Sequence, residues 1–120
     1  MLTIRIKNLR LRTYIGFNDE ERRKRQDVVI NIRFDYQADR AADSDDVAHA
    51  VNYRTITKQI IALVEGNSFL LLEKLTAEVL ELVMRQPEIR FAEVEIDKPH
   101  ALRFSDSVSA RLSASRDTPD

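Results

Sequence analysis

A lysine occupies a position where the pattern of one strand calls for an apolar residue. In residues 91–99, FAEVEIDKP, the apolar side chains Ala92, Val94 and Ile96 alternate with acidic ones, which is the period of a strand with one buried face. Lys98 shares the parity of the apolar set, and a proline then ends the strand. Strand parity alone favours a lysine at the rim of the sheet with its ammonium in water. The alternative is a desolvated general acid/base.

Three further side chains have types that suit catalysis or binding. Glu73 falls in the first turn of a predicted helix, where the helix dipole favours a carboxylate. A carboxylate there also suits a ligand edge with two adjacent N–H donors, such as that of a purine or pterin. Tyr53 begins another predicted helix and either packs its ring or contacts an aromatic ligand. Glu21 lies in a polar segment typical of a surface loop, so a solvated charge is the simpler interpretation.

The composition excludes several kinds of site. The 120 residues include no cysteine, which excludes disulfides, thiolate zinc sites and cysteine nucleophiles. The two histidines, His49 and His100, lack the spacing of metal ligands, so we expect no metal. Lysine and arginine number 19 against 20 acidic residues, which provides no basic field for a nucleic acid. No apolar run approaches the length of a membrane span or a signal peptide, so we expect a cytoplasmic protein with no membrane partner.

The periodicity predicts six main elements in the order ββααββ. Strands are predicted at 2–12, 28–36, 92–98 and 107–113, and helices at 53–65 and 70–85. A change of phase in the first strand predicts a bulge near Asn8. These elements form one α+β domain over residues 1–113, with a four-stranded antiparallel sheet and two helices on one face, followed by a disordered tail at 114–120. Two sheet edges remain open, so we expect subunits to pair through them.

Short motifs at separate places along the chain resemble those of one enzyme family. They are TYIG ending at Gly16, the side chains Glu21 and Gln26, NYRTI around Tyr53, LLEKLTAEV around Glu73 and EIDKPHA around Lys98. Together they resemble the dihydroneopterin aldolase/epimerase family over about residues 4–112. The resemblance implies the tunnelling fold (T-fold), in which ββααββ subunits join their sheets into a ring-shaped barrel. It also implies a homo-octamer of two stacked tetramers, with active sites between neighbouring subunits and with no cofactor.

The resemblance further implies a role for each candidate residue. Glu73, with the backbone of Leu72 beside it, would hold the amino-pyrimidinone edge of a pterin substrate. Tyr53 would reach the substrate from an adjacent subunit, and Lys98 would act as the catalytic general acid/base. Glu21 would contact the dihydroxylated side chain of the substrate or position a water molecule.

Several longer segments resemble the epimerase branch of the family more than the aldolase branch. They are IRIKNLRLRTYIG, RQDVVINI, NYRTITK and KPHALRFSDSVS. Arg54 and His100 stand where aldolases usually have a small residue, whereas Pro99 is common in aldolases. The reaction implied is epimerisation at the 2′ carbon of 7,8-dihydroneopterin triphosphate, from D-erythro to L-threo. A triphosphate also needs cations, and the candidates, for which solvated surface charge is the alternative, are Arg54, Lys58, His100 and Arg103.

Two other functions stay open on the sequence alone. An aldolase of folate biosynthesis would use the same residues but release glycolaldehyde and 6-hydroxymethyl-7,8-dihydropterin. A non-catalytic α+β binding module, for instance one for RNA, is disfavoured by the balanced charge and by the lack of a GXXG loop.

Overall fold

The computed structural model describes residues 1–117 and confirms the predicted ββααββ order, with three additions. The elements are β1 (Leu2–Ile15), β2 (Gln26–Tyr36), α1 (Asp39–Ser44), a 3₁₀ turn (Val47–His49), α2 (Tyr53–Glu65), β3 (Ser68–Phe69), α3 (Leu72–Met84), β4 (Ile89–Pro99) and β5 (Ser107–Ser115). The additions are the short helix α1, the 3₁₀ turn and the two-residue strand β3. None of them is long enough to show a helical or strand period in the sequence.

The strands form one sheet in the order β3-β1-β2-β4-β5. The four long strands pair antiparallel, as predicted, whereas β3 pairs parallel with the end of β1 through Tyr14 and Ile15. The expected count of four strands is therefore one too low. The additional strand, β3, matters for the site, because it holds the residues just before α3 against the end of β1. The backbone N–H of Gly16 completes this contact by donating to the carbonyl of Phe69 at 2.9 Å.

The bulge predicted in β1 is confirmed at Asn8. The register between β1 and β2 shifts between Ile6 and Leu9, and Asn8 has a φ of 53°. Asparagine tolerates this left-handed conformation better than most residues. Its backbone N–H donates to the side-chain oxygen of Asn31 at 2.9 Å, so the bulge keeps a hydrogen-bond partner.

The core lies between the sheet and the two long helices. Inward-facing side chains of β2 and β4 pack against one stripe of each helix, and fully buried members include Ile30, Phe34, Val94, Ile96, Ile56, Ile60, Leu75 and Val79. Burial of each such side chain is worth about 1.5–3 kcal/mol. The alternation in β4 places Ala92, Val94 and Ile96 in this core and aims Lys98 in the same direction at the end of the strand. None of the helices in residues 1–117 is long and apolar enough to cross a membrane.

The end of the chain corrects the predicted tail. β5 runs to Ser115, and the backbone of Arg116 donates to the carbonyl of Arg90 at 2.7 Å. The Arg116 guanidinium also donates to the carbonyls of Met84, Gln86 (2.9 Å) and Ile89 (2.6 Å), at the turn between α3 and β4. A disordered tail from residue 114 is therefore wrong for residues 114–116, which continue β5 and then bond to the turn after α3. Residues 118–120 of that prediction lie outside the described residues.

Candidate active site

Lys98 and Glu21 form an ion pair at one end of the sheet. The Lys98 Nζ donates to the Glu21 Oε2, and the two side chains are only 13% and 20% exposed. Lys98 reaches this position because it has the inward parity of β4, and Glu21 because the loop between β1 and β2 folds back over the strand ends. The interpretation of Glu21 as a solvated charge is therefore wrong. Lys98 is a paired lysine, so the rim position that parity alone favoured is wrong as well.

Gly16 makes room for the Glu21 carboxylate. Gly16 has a φ of 128°, which side chains other than hydrogen rarely permit. A Cβ atom built on it would overlap all three atoms of the Glu21 carboxyl group. The loop is further fixed by Asn18, whose side-chain oxygen accepts from the backbone N–H of Glu21 at 2.8 Å. The last residue of the TYIG motif is thus in direct contact with the acid of the pair.

Gln26 is a site residue to which sequence reasoning assigned no role. Its amide nitrogen donates to the carbonyl of Ile15 at 2.6 Å, and its side chain also hydrogen-bonds the Glu21 carboxylate. Gln26 therefore ties the start of β2 to the end of β1 while supporting the acid. Its place among the quoted family motifs was the one signal that could have singled it out.

The pair sets the charge of the acid. The hydrogen bond from the Lys98 ammonium, chiefly, holds the pKa of Glu21 below its usual range, and the positive charge itself adds to the effect. Partial burial of the carboxyl opposes this shift, whereas the backbone N–H of Asn18 and the amide of Gln26 support it. Glu21 is accordingly a carboxylate at neutral pH. A carboxylate beside an ammonium in a sheltered position forms a ready pair for moving a proton.

Two cavities border the Glu21 loop, and they share no lining residue. The loop cavity, of about 340 Å³, is lined by Asn18, Glu20, Glu21, Lys24, Gln26, His100 and Ala101. The β3 cavity, of about 190 Å³, is lined by Tyr14, Gly16, Arg22, Ser68, Phe69 and Leu70. The chain passes from the β3 cavity directly into the first turn of α3. Glu21 itself borders the loop cavity, and its neighbours Gly16 and Arg22 border the β3 cavity.

The other predicted site residues lie at helix starts. Leu72 and Glu73 open α3. The first N–H groups of a helix have no acceptor within the helix, and here no side-chain cap accepts from them either. Glu73 is exposed, as expected of a first-turn carboxylate. Tyr53 opens α2, is 51% exposed, and lines neither cavity beside Glu21. One subunit therefore joins Lys98 to Glu21 by an ion pair, whereas Tyr53 borders neither cavity beside Glu21.

A family model described as dihydroneopterin aldolase matches residues 4–113. The chain belongs to the dihydroneopterin aldolase family. Within this family it is 56% identical over 116 residues to the dihydroneopterin triphosphate 2′-epimerase of Pseudomonas aeruginosa, covering 97% of this chain and 94% of that protein. It is 58% identical over 113 residues to the same enzyme of Escherichia coli K12, covering 94% of each chain.

A solved structure of the family confirms the predicted fold. The Escherichia coli dihydroneopterin aldolase, solved in complex with neopterin, is 30% identical and superposes with a TM-score of 0.91, covering 96% of this chain and 100% of that one. The T-fold subunit expected from the resemblance is thereby confirmed. This Escherichia coli aldolase is nevertheless much less similar to the chain in sequence than the two epimerases are.

The four predicted phosphate-binding cations are all exposed, and three of them line neither cavity beside Glu21. The fourth, His100, lines the loop cavity. Its backbone has a φ of 61°, and its backbone N–H donates to the carbonyl of Asp106 at 3.2 Å. Arg103 is exposed, with its guanidinium 5.6 Å from the ring centre of Phe104. Arg54 and Lys58 are exposed on α2. Within residues 1–117, no three histidine, aspartate or glutamate side chains are grouped to hold a metal ion.

Proposed function

We propose that this protein is an enzyme that epimerises 7,8-dihydroneopterin triphosphate at its 2′ carbon, converting the D-erythro to the L-threo isomer. The observation that carries the proposal is the 56–58% identity, over nearly the full chain, to curated enzymes of that activity. The sheltered pair of Lys98 and Glu21 supports it, because the reaction needs a proton to be removed and returned at one position.

The reaction follows from the structure of the substrate. The Lys98 ammonium first passes its extra proton to the Glu21 carboxylate, and the neutral amine then takes the proton of the 2′-hydroxyl, directly or through water. The C1′–C2′ bond breaks, its electrons form a C6=C1′ double bond, and the electrons of the C6=N5 double bond move to N5, which takes the proton from Glu21. An enamine and an aldehyde that still carries the triphosphate result. The aldehyde turns its other face, C1′ attacks its carbonyl carbon, the C6=N5 bond is restored as N5 gives up its proton, and a proton returns from Lys98 to the oxygen on C2′. Because the pterin itself accepts the electrons, no cofactor takes part in this route.

Glu21 positions the proton-transfer step in this proposal. Its carboxylate holds Nζ of Lys98 and lies at the wall of the loop cavity, where it can accept a hydrogen bond from a substrate hydroxyl or a water. Glu73 and the backbone N–H of Leu72 would hold the amino-pyrimidinone edge, since a carboxylate matches two adjacent N–H donors. The neopterin bound by the 30% identical aldolase supports a pterin as the ligand.

We further propose that the active site is shared between subunits of a homo-octamer made of two stacked tetramers. The outer edge of β5 and most of the outer edge of β1 have no partner strand within residues 1–117, since β3 covers only Tyr14 and Ile15. Such edges suit pairing with a second copy of the chain. Tyr53, which is half-exposed and borders neither cavity beside Glu21 in its own subunit, would then complete the site of a neighbour.

The main alternative within the family is the aldolase reaction. In that reaction the enamine is protonated at C1′ and glycolaldehyde leaves, so the two enzymes differ in the fate of the aldehyde and not in the cleavage step. Identity to the structurally characterised aldolase is only 30%, which favours the epimerase. A non-catalytic binding module is disfavoured further, because it would have no need of a sheltered lysine–carboxylate pair.

Incubation with two substrates decides between these functions. The protein is given 7,8-dihydroneopterin or its triphosphate, and the products are separated after dephosphorylation and oxidation on a column that resolves the erythro and threo isomers. We expect the L-threo isomer as the main product from the triphosphate. Release of 6-hydroxymethyl-7,8-dihydropterin as the main product would reassign the protein as an aldolase, and no turnover of either compound would support the binding module.

A further inference from the structure

We propose that the loop cavity is a triphosphate subsite in which Lys24 and His100 hold the aldehyde fragment between cleavage and re-addition. The inference rests on the proposed function and adds to it a reason why the fragment stays. Lys24 lies outside the motifs of the family resemblance, and its one ion-pair partner within residues 1–117 is Glu20, at 3.4 Å between Nζ and Oε1.

The position of the cavity follows from the order of groups in the substrate. The reacting carbons must lie at Lys98 and Glu21, and the pterin ring lies towards Glu73, at the start of α3. The β3 cavity is on that path, because Phe69 and Leu70 line it and precede α3 directly. The loop cavity shares no lining residue with the β3 cavity and meets it at the Glu21 loop. The triphosphate, on the far side of the reacting carbons from the pterin, would therefore enter the loop cavity.

The lining of the loop cavity offers an anion two donors, Lys24 and His100, beside the carboxylates of Glu20 and Glu21. The side chains of Lys24 and Glu20 are 70% and 79% exposed, and ion pairs so exposed contribute little to stability. Lys24 can therefore exchange its single carboxylate for a phosphate group of higher charge at small cost. The imidazole of His100 adds a hydrogen-bond donor from the opposite chain segment, after β4.

The two carboxylates of the cavity do not act alike. Glu21 is neutralised by Lys98, so its charge is already paired. Glu20 loses its partner once Lys24 turns to phosphate, and it then repels the bound group. Glu20 should accordingly weaken the subsite and Lys24 strengthen it. These opposite signs allow a test in which two neighbouring variants shift the same ratio in opposite directions.

Retention of the aldehyde decides the outcome of the reaction. After the C1′–C2′ bond breaks, the aldehyde fragment has no covalent tie to the protein, and its triphosphate is its largest group. If the fragment stays, C1′ attacks its other face and the epimer forms. If it leaves, C1′ is protonated and the hydroxymethyl pterin is released. Weaker phosphate contacts should therefore raise the share of cleavage product in each turnover.

The test compares Lys24→Ala, His100→Asn and Glu20→Gln in the full-length protein. Asparagine is chosen at position 100 because it tolerates the positive φ found there. For each variant, the KM for dihydroneopterin triphosphate is divided by the KM for dihydroneopterin, and the ratio of hydroxymethyl pterin to L-threo product is measured. Arg23→Ala is the matched control, because Arg23 is an exposed cation of the same loop that does not line the cavity.

We expect Lys24→Ala to raise the KM ratio roughly tenfold, as the loss of one charge-assisted contact does, and to raise the share of cleavage product. His100→Asn should shift both quantities in the same direction by a smaller factor, and Glu20→Gln should lower the KM ratio. Unchanged ratios in both Lys24→Ala and His100→Asn, in a protein that epimerises the triphosphate, overturn the subsite alone. If the unmodified protein yields no L-threo isomer from the triphosphate, the proposed function and the subsite fall together.

Discussion

Lys98 and Glu21 are 77 positions apart in the chain, yet their side chains form the most sheltered ion pair in residues 1–117. Lys98 lies at the end of β4, and Glu21 lies in the loop between β1 and β2, at the same end of the sheet. The pair supplies a proton carrier and a carboxylate to hold it, which is what a retro-aldol cleavage with re-addition requires.

Replacement of Lys98 tests the proton carrier. Lys98→Ala should lower the turnover of dihydroneopterin triphosphate by about 10²–10⁴-fold, the usual contribution of a positioned acid/base. Pterin affinity, measured from the fluorescence of bound neopterin, should change only a few-fold, because Glu73 and not Lys98 is proposed to hold the ring. The control is Lys74→Ala, since Lys74 is exposed and, in the described part of the chain, pairs with Glu78 alone. Full turnover in Lys98→Ala would falsify the mechanism.

Replacement of Glu21 by glutamine tests the charge of the pair through the pH dependence of stability. The folded protein holds the pKa of Glu21 below its ordinary value of 4.5, so the pair stabilises the fold fully above that pH and loses its effect as the pH falls below it. Glu21→Gln should lower the free energy of unfolding by about 1–3 kcal/mol at pH 7. The difference should shrink as the pH falls below 4.5.

Urea unfolding of both proteins at equal concentration, at several pH values, measures this difference. Equal concentration matters because subunit association adds to apparent stability. If the difference in the free energy of unfolding between the two proteins stays constant across the acid range, the contact with Lys98 does not lower the pKa of Glu21.

Addition of one methyl group at Gly16 should disable the acid without removing it. Gly16→Ala places a Cβ atom where the Glu21 carboxyl lies and forces an unfavourable φ. Turnover should fall by an amount close to that of Glu21→Gln, and the double variant should be hardly worse than either single one, because both changes remove the same contact. Additive losses in this cycle would mean that Gly16 acts on something other than Glu21.

Loss of the Arg116 guanidinium should weaken the fold and leave the chemistry intact. Arg116→Ala leaves carbonyls at the end of α3 without their donor, which should cost about 1–3 kcal/mol in the free energy of unfolding. Arg85→Ala is the matched control, since Arg85 forms only an exposed pair with Glu81 and should cost less than about 1 kcal/mol. Equal losses for the two variants, measured by urea unfolding, would contradict the closing role of Arg116.

Mixed oligomers test the proposed sharing of the site between subunits. Tyr53→Ala and Lys98→Ala each remove one contribution to the same site, so each variant alone should be nearly inactive. If Tyr53 acts in a neighbour's site, subunits of the two variants assembled together should form some sites that contain both Tyr53 and Lys98. Activity should then reappear after the variants are unfolded, mixed and refolded together. No recovery, with mixed oligomers demonstrated by mass spectrometry of tagged chains, would place Tyr53 outside the shared site.

Much of the fold was predictable because its elements are long and periodic. The alternation of β4 placed Lys98 on the inward face, the phase change at Asn8 marked the bulge, and the bounds of α2 matched the prediction. Periodicity of this kind is a property of neighbouring residues, so it can be read without knowledge of the rest of the chain. Of the residues in the family motifs, Gly16, Glu21, Gln26 and Lys98 come together at the end of the sheet, whereas Tyr53 and Glu73 lie at helix starts.

Contacts between distant residues were decided only by the tertiary structure. The loop that carries Glu21 has no hydrophobic periodicity, yet its acid pairs with a lysine 77 positions away. Arg116 likewise hydrogen-bonds to residues about 30 positions before it in the chain. The two-residue β3 was likewise too short to leave a pattern, although it positions the start of α3. By itself the sequence determined that Lys98 points inward. Only the tertiary structure decided that Lys98 meets Glu21 there, beside a glycine that leaves room for the carboxylate. The loop that carries Glu21 packs over the end of the sheet, and such packing depends on the fit of side chains from distant parts of the chain, which no local sequence pattern encodes.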